Sequence, residues 1–339
     1  MNSSPRRIKS PADLLALVPC VLGFHPEDSL VLVVLAGEGG NLHARVDLPL
    51  DEEETAEALT RLMIAVSRTQ AESVALIAYS SDELLAQEIV DVLADRLYER
   101  EVDVACAIRA DGETWYCLQC IEGCCAVEGV PYDLKAHEIT AQAVLDGHVI
   151  FRNRQELADS LIGTDTVDLE AVGLAADEAM GRFQGASRNP VGVSSPDGAR
   201  QHLIAEGLWV RDRVRRFLGS PEPLAPEEVG RMAVAMVSIE VRDVAWAEIA
   251  RSNADRHVEL WRDLVRRTPL DLVAAPAALL GFAAWLAGDG ALAWCAVERC
   301  QQAEPDYCLA GLLTQALAAA IPPSSWQPIP PDDLPLFAG

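Results

Sequence analysis

The sequence predicts an α/β N-terminal domain, built on a mixed sheet with an N-terminal hairpin and βα repeats, followed by an all-α helical domain. Three observations predict it. As far as Leu118, short apolar and β-branched runs alternate with segments of helical periodicity, the rhythm of strands separated by crossover helices. After Gly129-Val130-Pro131 every periodic segment has the helical spacing. A chain of 339 residues, 50% of them hydrophobic, also exceeds one small core and suits about two domains. The expected division is an α/β domain over 1–135, a helical domain over 136–325 and a Pro-rich tail over 326–339.

Ser10-Pro11-Ala12-Asp13 supplies an N-cap hydroxyl, a proline where a missing N–H does no harm, and an acid in the first turn. A helix is expected from Pro11 to Val18, stopped by Pro19. Leu30–Leu35 is too short for a helix and reads as a buried strand. Gly37-Glu38-Gly39-Gly40-Asn41 is a turn and not a phosphate loop, because it lacks the lysine and hydroxyl of a Walker motif and opens no helix. Leu42–Leu48 returns as the second strand of a hairpin. That pairing puts His25–Ser29 at the same sheet edge as Asp47, Leu48 and Pro49.

The acids of Asp51–Glu54 open a helix whose inner face is Leu59, Leu62, Met63 and Val66. A right-handed crossover through it lays the strand Val74–Tyr79 parallel to the hairpin's second strand and carries Tyr79, Ser80 and Ser81 to the His25 edge. A helix over 82–99 then leads to the strand Val102–Ile108, parallel to Val74–Tyr79, and Asp111-Gly112 turns the chain back into Thr114–Leu118. The cysteine-bearing loop after Leu118 is expected at the edge opposite His25.

In the second domain helices are expected over 137–145, 154–161, 169–183, 199–218, 226–253, 255–267 and 276–320, with Gln184–Gly198 a mobile loop rich in Gly, Ser, Pro and Asn. Met232, Met236 and Ile239, on the helix that carries Trp246, read as core, and Arg242 with Asp243 as an interhelical ion pair. Leu272–Gly288 is uncharged, but it is short for a bilayer and holds Pro276 and Gly281, so it reads as a buried helix. Leu280, Gly281, Ala293, Val297, Cys300 and Pro305 fall at the relative positions of one tetratricopeptide unit, which predicts a tetratricopeptide-like helix pair.

Fifty-two Asp and Glu against 27 Lys and Arg give a net charge of −25, which repels phosphate backbones and anionic lipid. Nucleic acid and membrane are therefore not expected partners; a protein or a small molecule is. Arg6, Arg7 and Lys9 before the apolar stretch Leu14–Phe24 imitate a secretory signal, but Asp13, Pro19 and the lack of a small-residue cleavage site break the imitation. Nine cysteines, an odd number in a large chain, read as reduced thiols, so the expected compartment is the cytoplasm.

Gly23-Phe24-His25-Pro26-Glu27-Asp28-Ser29-Leu30-Val31, Arg45-Val46-Asp47-Leu48-Pro49, Cys124-Cys125 and Ala284-Trp285-Leu286-Ala287-Gly288-Asp289-Gly290-Ala291-Leu292-Ala293 together resemble an actinobacterial domain-of-unknown-function family. That family carries GFHPxDSLV, RVDLP, paired-cysteine and AWxxGDGALA elements. The resemblance runs over nearly the whole chain, departing where Ala126 replaces a proline after the paired cysteines. It implies the architecture and a cytoplasmic setting, and no catalytic residue.

The residues support three functional readings. The leading one is a non-enzymatic binding or scaffold protein acting through its helical half, because no catalytic signature accompanies the helix pair. The alternative is a hydrolase-type enzyme acting on a small anionic ligand at the sheet edge, the strand-end position where α/β sheets collect ligands. In it His25 is a general base or orienting donor, Asp28 or Asp47 its orienter, Ser29 a candidate hydroxyl, Arg45 the anion anchor, and Tyr79 and Ser80 line the site. The structural counterpart makes Pro26 a turn, has Asp28 and Ser29 bond nearby backbone, and pairs Arg45 with Asp47; no G-x-S-x-G surrounds Ser29. The third is structural zinc on Cys117, Cys120, Cys124 and Cys125 with His137, a C-x2-C-x3-C-C spacing without the second C-x2-C of a zinc ribbon. Buried small hydrophobes are the competing explanation. No cofactor is favoured.

Overall fold

The computed structural model describes residues 8–37, 43–48, 51–119, 126, 128–186, 196–330 and 333–337. They form two compact units, Met1–Arg154 with Ala318–Ile321 and Gln155–Leu317 with Pro322–Gly339. The α/β unit thus runs past 135 to take in one further helix, over 138–145.

Strands β1 (Ser29–Gly37), β2 (His43–Asp47), β3 (Ala71–Tyr79), β4 (Asp103–Ala110), β5 (Thr114–Cys117) and β6 (Val130–Pro131) make one sheet in the order β2-β1-β3-β4-β5-β6. The hairpin forms as expected, antiparallel, with Ser29 opposite Asp47 and Val31 opposite Arg45. β3 pairs antiparallel with β1, β4 parallel with β3, and β5 and β6 follow antiparallel. β3 therefore runs in the direction of β2 but is not its neighbour, because β1 lies between them. The strand sequences explain the order. Ser29–Val34 is buried throughout, as suits a central strand, whereas His43-Ala44-Arg45-Val46-Asp47 carries polar residues that tolerate an edge.

Helix α1 (Pro11–Leu22) begins with the Ser10 hydroxyl accepting the Asp13 amide at 3.2 Å and the Asp13 carboxylate accepting the Ser10 amide at 3.0 Å. It does not stop at Pro19. So near the C-terminus the proline ring removes only one ladder hydrogen bond, and termination falls instead to Gly23, at φ 74, whose amide bonds the Pro19 carbonyl. Helices α2 (Glu52–Thr69) and α3 (Glu83–Tyr98) cover one sheet face, packing Leu62, Val66 and Leu93 on Leu30, Leu32 and Leu76. The alternate residues Val31, Val33, Ala75 and Ile77 are equally buried, so both faces are covered. Helix α4 (Glu138–Leu145) packs on α1.

The second unit is helical: α5 (Arg154–Asp159), α6 (Thr166–Ala186), α7 (Pro196–Gly219), α8 (Pro226–Ala235), α9 (Ile239–Ala247), α10 (Ala254–Arg267), α11 (Ala274–Ala287), α12 (Gly290–Ala303) and α13 (Cys308–Ala318). Helices α6 and α7 take in both ends of the expected loop, since α6 runs to Ala186 and α7 starts at Pro196; 187–195 lie outside the described residues. The segment 226–253 is two helices, not one. The chain turns at Met236–Ser238 through 3-10-type bonds from the Val237 and Ser238 amides, with neither Gly nor Pro to mark the break. Met232 and Met236 are core, but Ile239 begins the new helix facing outward, 57% exposed. Arg242 and Asp243 pair within α9, and the link from Arg242 to another segment is the Tyr307 hydroxyl at 3.3 Å.

Thirteen residues of α11, Ala274–Leu286, are buried, as expected of the uncharged stretch. α12 backs onto α11 where a Cβ on Gly281 would stand 3.4 Å from the Ala293 carbonyl. The C-terminal segment packs into the same unit: Trp326 lies against Trp246 and Phe282, and Leu334 and Leu336 are buried. Among the described residues no helix is long and apolar enough to cross a membrane.

Candidate functional site

The sheet edge brings several of the expected residues together and commits them to one another. Ser29 is fully buried; its hydroxyl donates to the Glu27 carbonyl at 2.5 Å and accepts from Arg45 Nε at 3.0 Å. Arg45 also bonds Asp47 Oδ1 at 2.5 Å and lies over the Phe24 ring. Asp28, at φ 40, is exposed and contributes its carbonyl to the Leu48 amide. His25 is half-buried and its amide bonds the Phe151 carbonyl; burial lowers its pKa, opposed by Glu27 and aided by Lys135. Tyr79 stands opposite Ser29 with a buried hydroxyl that finds no partner, and burial together with Tyr132 raises its pKa. Ser80 accepts from the Asp82 amide at the start of α3. The Ser29 proton is thus held by a backbone carbonyl, and the Arg45 guanidinium by Ser29, Asp47 and Phe24.

Arg109 at this edge carries no sequence signal, yet it is buried, stacked at 4.0 Å over Tyr116, and bonded to the Ser80 carbonyl at 3.2 Å. It ties the end of β3 to β4 and β5.

Of the cysteine cluster, Cys117 is half-buried on β5 opposite Ile108, and the Leu118 amide bonds the Ala107 carbonyl, so the chain is leaving the Tyr79 edge there. Cys120, Cys124 and Cys125 lie outside the described residues. His137 caps α4, its Nδ1 accepting the Ile139 amide, while Nε2 stands 3.3 Å from Asp13. Among the described residues no group of three or more His, Cys, Asp or Glu is placed to hold a metal ion.

A concavity among the described residues lies elsewhere. Between α6, α7 and α8 is a cavity of about 540 Å³, a size that accepts a small organic ligand. α7 presents His202, Glu206, Trp209 and Arg213 at intervals of four, three and four, which places them on one helix face. α6 adds Phe183, and α8 adds Glu228 and Arg231. α6 and α8 approach closely because residue 230 is glycine: a Cβ there would stand 2.6 Å from the Ala176 amide nitrogen.

Several charges on these walls are paired. Arg231 makes two hydrogen bonds to the buried Glu206, at 3.0 and 2.9 Å, and its guanidinium stacks 4.0 Å over Trp209. Arg213 bonds Glu228 at 2.7 Å. Burial would push the Glu228 carboxyl up, but the Ala225 amide, Arg213 and Arg216 outweigh it and hold it below the usual glutamate value. Phe183 and His202 meet edge to face, ring centres 5.3 Å apart. Two nitrogens of these residues, His202 Nε2 and Arg213 Nε, are closed off from solvent and have no hydrogen-bond partner. None of these residues was singled out by motif; the available signal was the four-three-four spacing that puts a tryptophan among charges on one face of α7.

A protein-family model described as a domain of unknown function, DUF4192, matches residues 11–324. No curated protein and no solved structure matches the chain.

Proposed function

The chain belongs to the DUF4192 family, and from that premise we propose that it is a non-enzymatic binding protein whose helical unit takes a small molecule in the cavity between α6, α7 and α8. One observation carries the reading: a cavity of ligand size is lined by Phe183, His202 and Trp209 beside the ion-paired Glu206, Arg213, Glu228 and Arg231. At the sheet edge, in contrast, the Arg45 guanidinium that would anchor an anion is already bonded to the buried Ser29 and the exposed Asp47. A cytoplasmic setting suits thiols such as Cys106, Cys117, Cys300 and Cys308, which carry no disulfide. The net charge of −25 argues against nucleic acid as the partner.

A cavity-filling substitution tests the reading. Val234→Trp adds bulk on a wall of the cavity, and a fragment library is screened by thermal unfolding against wild type and variant. Fragments that stabilise wild type are expected to lose their effect in the variant. Fragments that stabilise both equally would place binding elsewhere and remove the helical cavity as the functional site.

A further inference from the structure

Glu206, Trp209 and Arg213 of α7 line the cavity, whereas the helical period sets Gly207 and Arg211 on the opposite face. That face is occupied by the chain itself. Leu336 fills the space left by the missing side chain of Gly207, where a Cβ would stand 2.7 Å from its Cδ2 and 3.3 Å from Val244 Cγ2 of α9. The Arg211 guanidinium covers the Phe337 ring, 5.2 Å from its centre. Further back, Trp326 lies 5.4 Å from the Trp246 ring centre on α9 and 4.9 Å from that of Phe282 on α11. We propose that this surface of α7, α9 and α11 docks a proline-rich peptide of a partner protein with a Leu-x-Leu-aromatic motif, and that 326–337 occupies it in cis as an autoinhibitory strap.

The segment has the build of a peptide ligand. Pro322, at φ −71 ψ 140, and Trp326, at φ −73 ψ 134, have polyproline II dihedrals on either side of the short 3-10 turn Pro323–Ser325. Leu334 and Leu336 are buried to 3% and 1% exposure, while Pro335 between them is exposed, as are Pro328 and Pro330. The prolines therefore stiffen the segment and the apolar side chains anchor it. Aromatic walls recognise such segments because a preformed extended backbone loses little entropy on docking. The seat also sets the motif: glycine at 207 makes room for a leucine, and Arg211 meets an aromatic ring one residue later.

The way the strap is held permits exchange. Its backbone bonds are local, from the Trp326, Asp333 and Phe337 amides to the Pro323, Pro330 and Leu334 carbonyls. Among the described residues it makes no hydrogen bond to α7, α9 or α11, and the indole N–H of Trp326 has no partner. Side-chain burial alone holds it, so its departure breaks no helix or sheet ladder. An occupant tethered in cis acts at an effective concentration of the order of millimolar, so a partner peptide making the same contacts binds well only once the strap is out of its seat.

The probe is a fluorescein-labelled synthetic peptide of residues 326–337, titrated by anisotropy into the full chain and into the full-length double variant Leu334→Asn/Leu336→Asn, which evicts the strap. The double variant is expected to keep its circular dichroism spectrum and to bind the peptide at least about tenfold more tightly than wild type. Adding Gly207→Leu, which plugs the leucine seat, is expected to weaken that binding about tenfold, and a peptide carrying the two asparagines to bind neither protein. Equal affinity for wild type and double variant, no binding to a folded double variant, or indifference to Gly207→Leu overturns the proposal. If the double variant does not fold, wild type decides: excess peptide must speed amide exchange in the chain's own 333–337, and unchanged exchange there makes the segment ordinary core. Light scattering tests the other occupant, since a wild-type dimer that the double variant turns into a monomer would assign the surface to a second copy of this chain and overturn the partner peptide. None of these outcomes bears on the cavity, which the Val234→Trp comparison tests.

Discussion

Arg45 and His257 illustrate how single residues in this protein are held by burial. Arg45 donates to a fully buried serine hydroxyl and covers Phe24, so Arg45→Ala strands the Ser29 acceptor and uncovers an aromatic ring. The expected loss is about 1.5 to 3 kcal/mol in urea denaturation, mostly from the Ser29 contact, because the Asp47 partner is exposed and such pairs contribute about 1 kcal/mol or less. A ligand anchor would behave differently, leaving stability unchanged on removal. His257 is fully buried, its Nδ1 accepting the Trp261 indole N–H, which leaves Nε2–H to donate to the Glu248 carbonyl at 3.0 Å. Burial lowers its pKa to about 4. The unfolded chain therefore takes up a proton near the ordinary histidine value of about 6.5 that the folded chain refuses until about pH 4, and stability falls as pH drops through that window. The loss attributable to this residue is on the order of 3 kcal/mol, and His257→Gln should flatten the pH dependence of the urea midpoint between pH 7 and 4.5. An unaltered slope in that variant would show that other groups carry it.

At the scale of elements, legibility followed local chemistry. The start of α1 was readable because Ser10, Pro11 and Asp13 cap it within a few residues, and the hairpin because β1 and β2 are adjacent in sequence. The end of α1 was not, since a proline in a final turn removes one bond only and the left-handed Gly23 does the stopping. The break between α8 and α9 was hidden because apolar periodicity runs straight across Met236–Ser238. The cavity was hidden for another reason: Phe183, Glu206, Trp209 and Arg231 belong to three helices, and each alone looks like an ordinary helix-surface residue. Glycines in α6 and α8 make a paired prediction. Gly230→Ala forces a methyl against the backbone of Ala175 and Ala176 and should cost about 2 kcal/mol or more and open the α6–α8 contact. Gly173→Ala on α6 meets nothing within 4 Å and should raise stability by about 0.5 to 1 kcal/mol. Equal effects of the two would contradict the close approach of α6 and α8 at Gly230.

For the whole molecule, the division into an α/β unit and a helical unit makes one overall unfolding transition an unsafe assumption. A ligand bound in the helical unit should raise the transition of that unit and leave any separate transition of the α/β unit in place. The net charge of −25 adds long-range self-repulsion, so moderate salt should stabilise the chain as a whole, without regard to ligand. The central claim, that binding belongs to the helical unit and not to the sheet edge, is tested most directly by amide hydrogen exchange on the full chain with and without the fragment that stabilises wild type most in the thermal-unfolding screen. The account predicts added protection in peptides covering 179–183, 202–213 and 227–235, with no change in those covering 25–29, 45–47 and 79–80. Protection confined to the sheet-edge peptides would contradict it and restore Arg45 and its neighbours as the site.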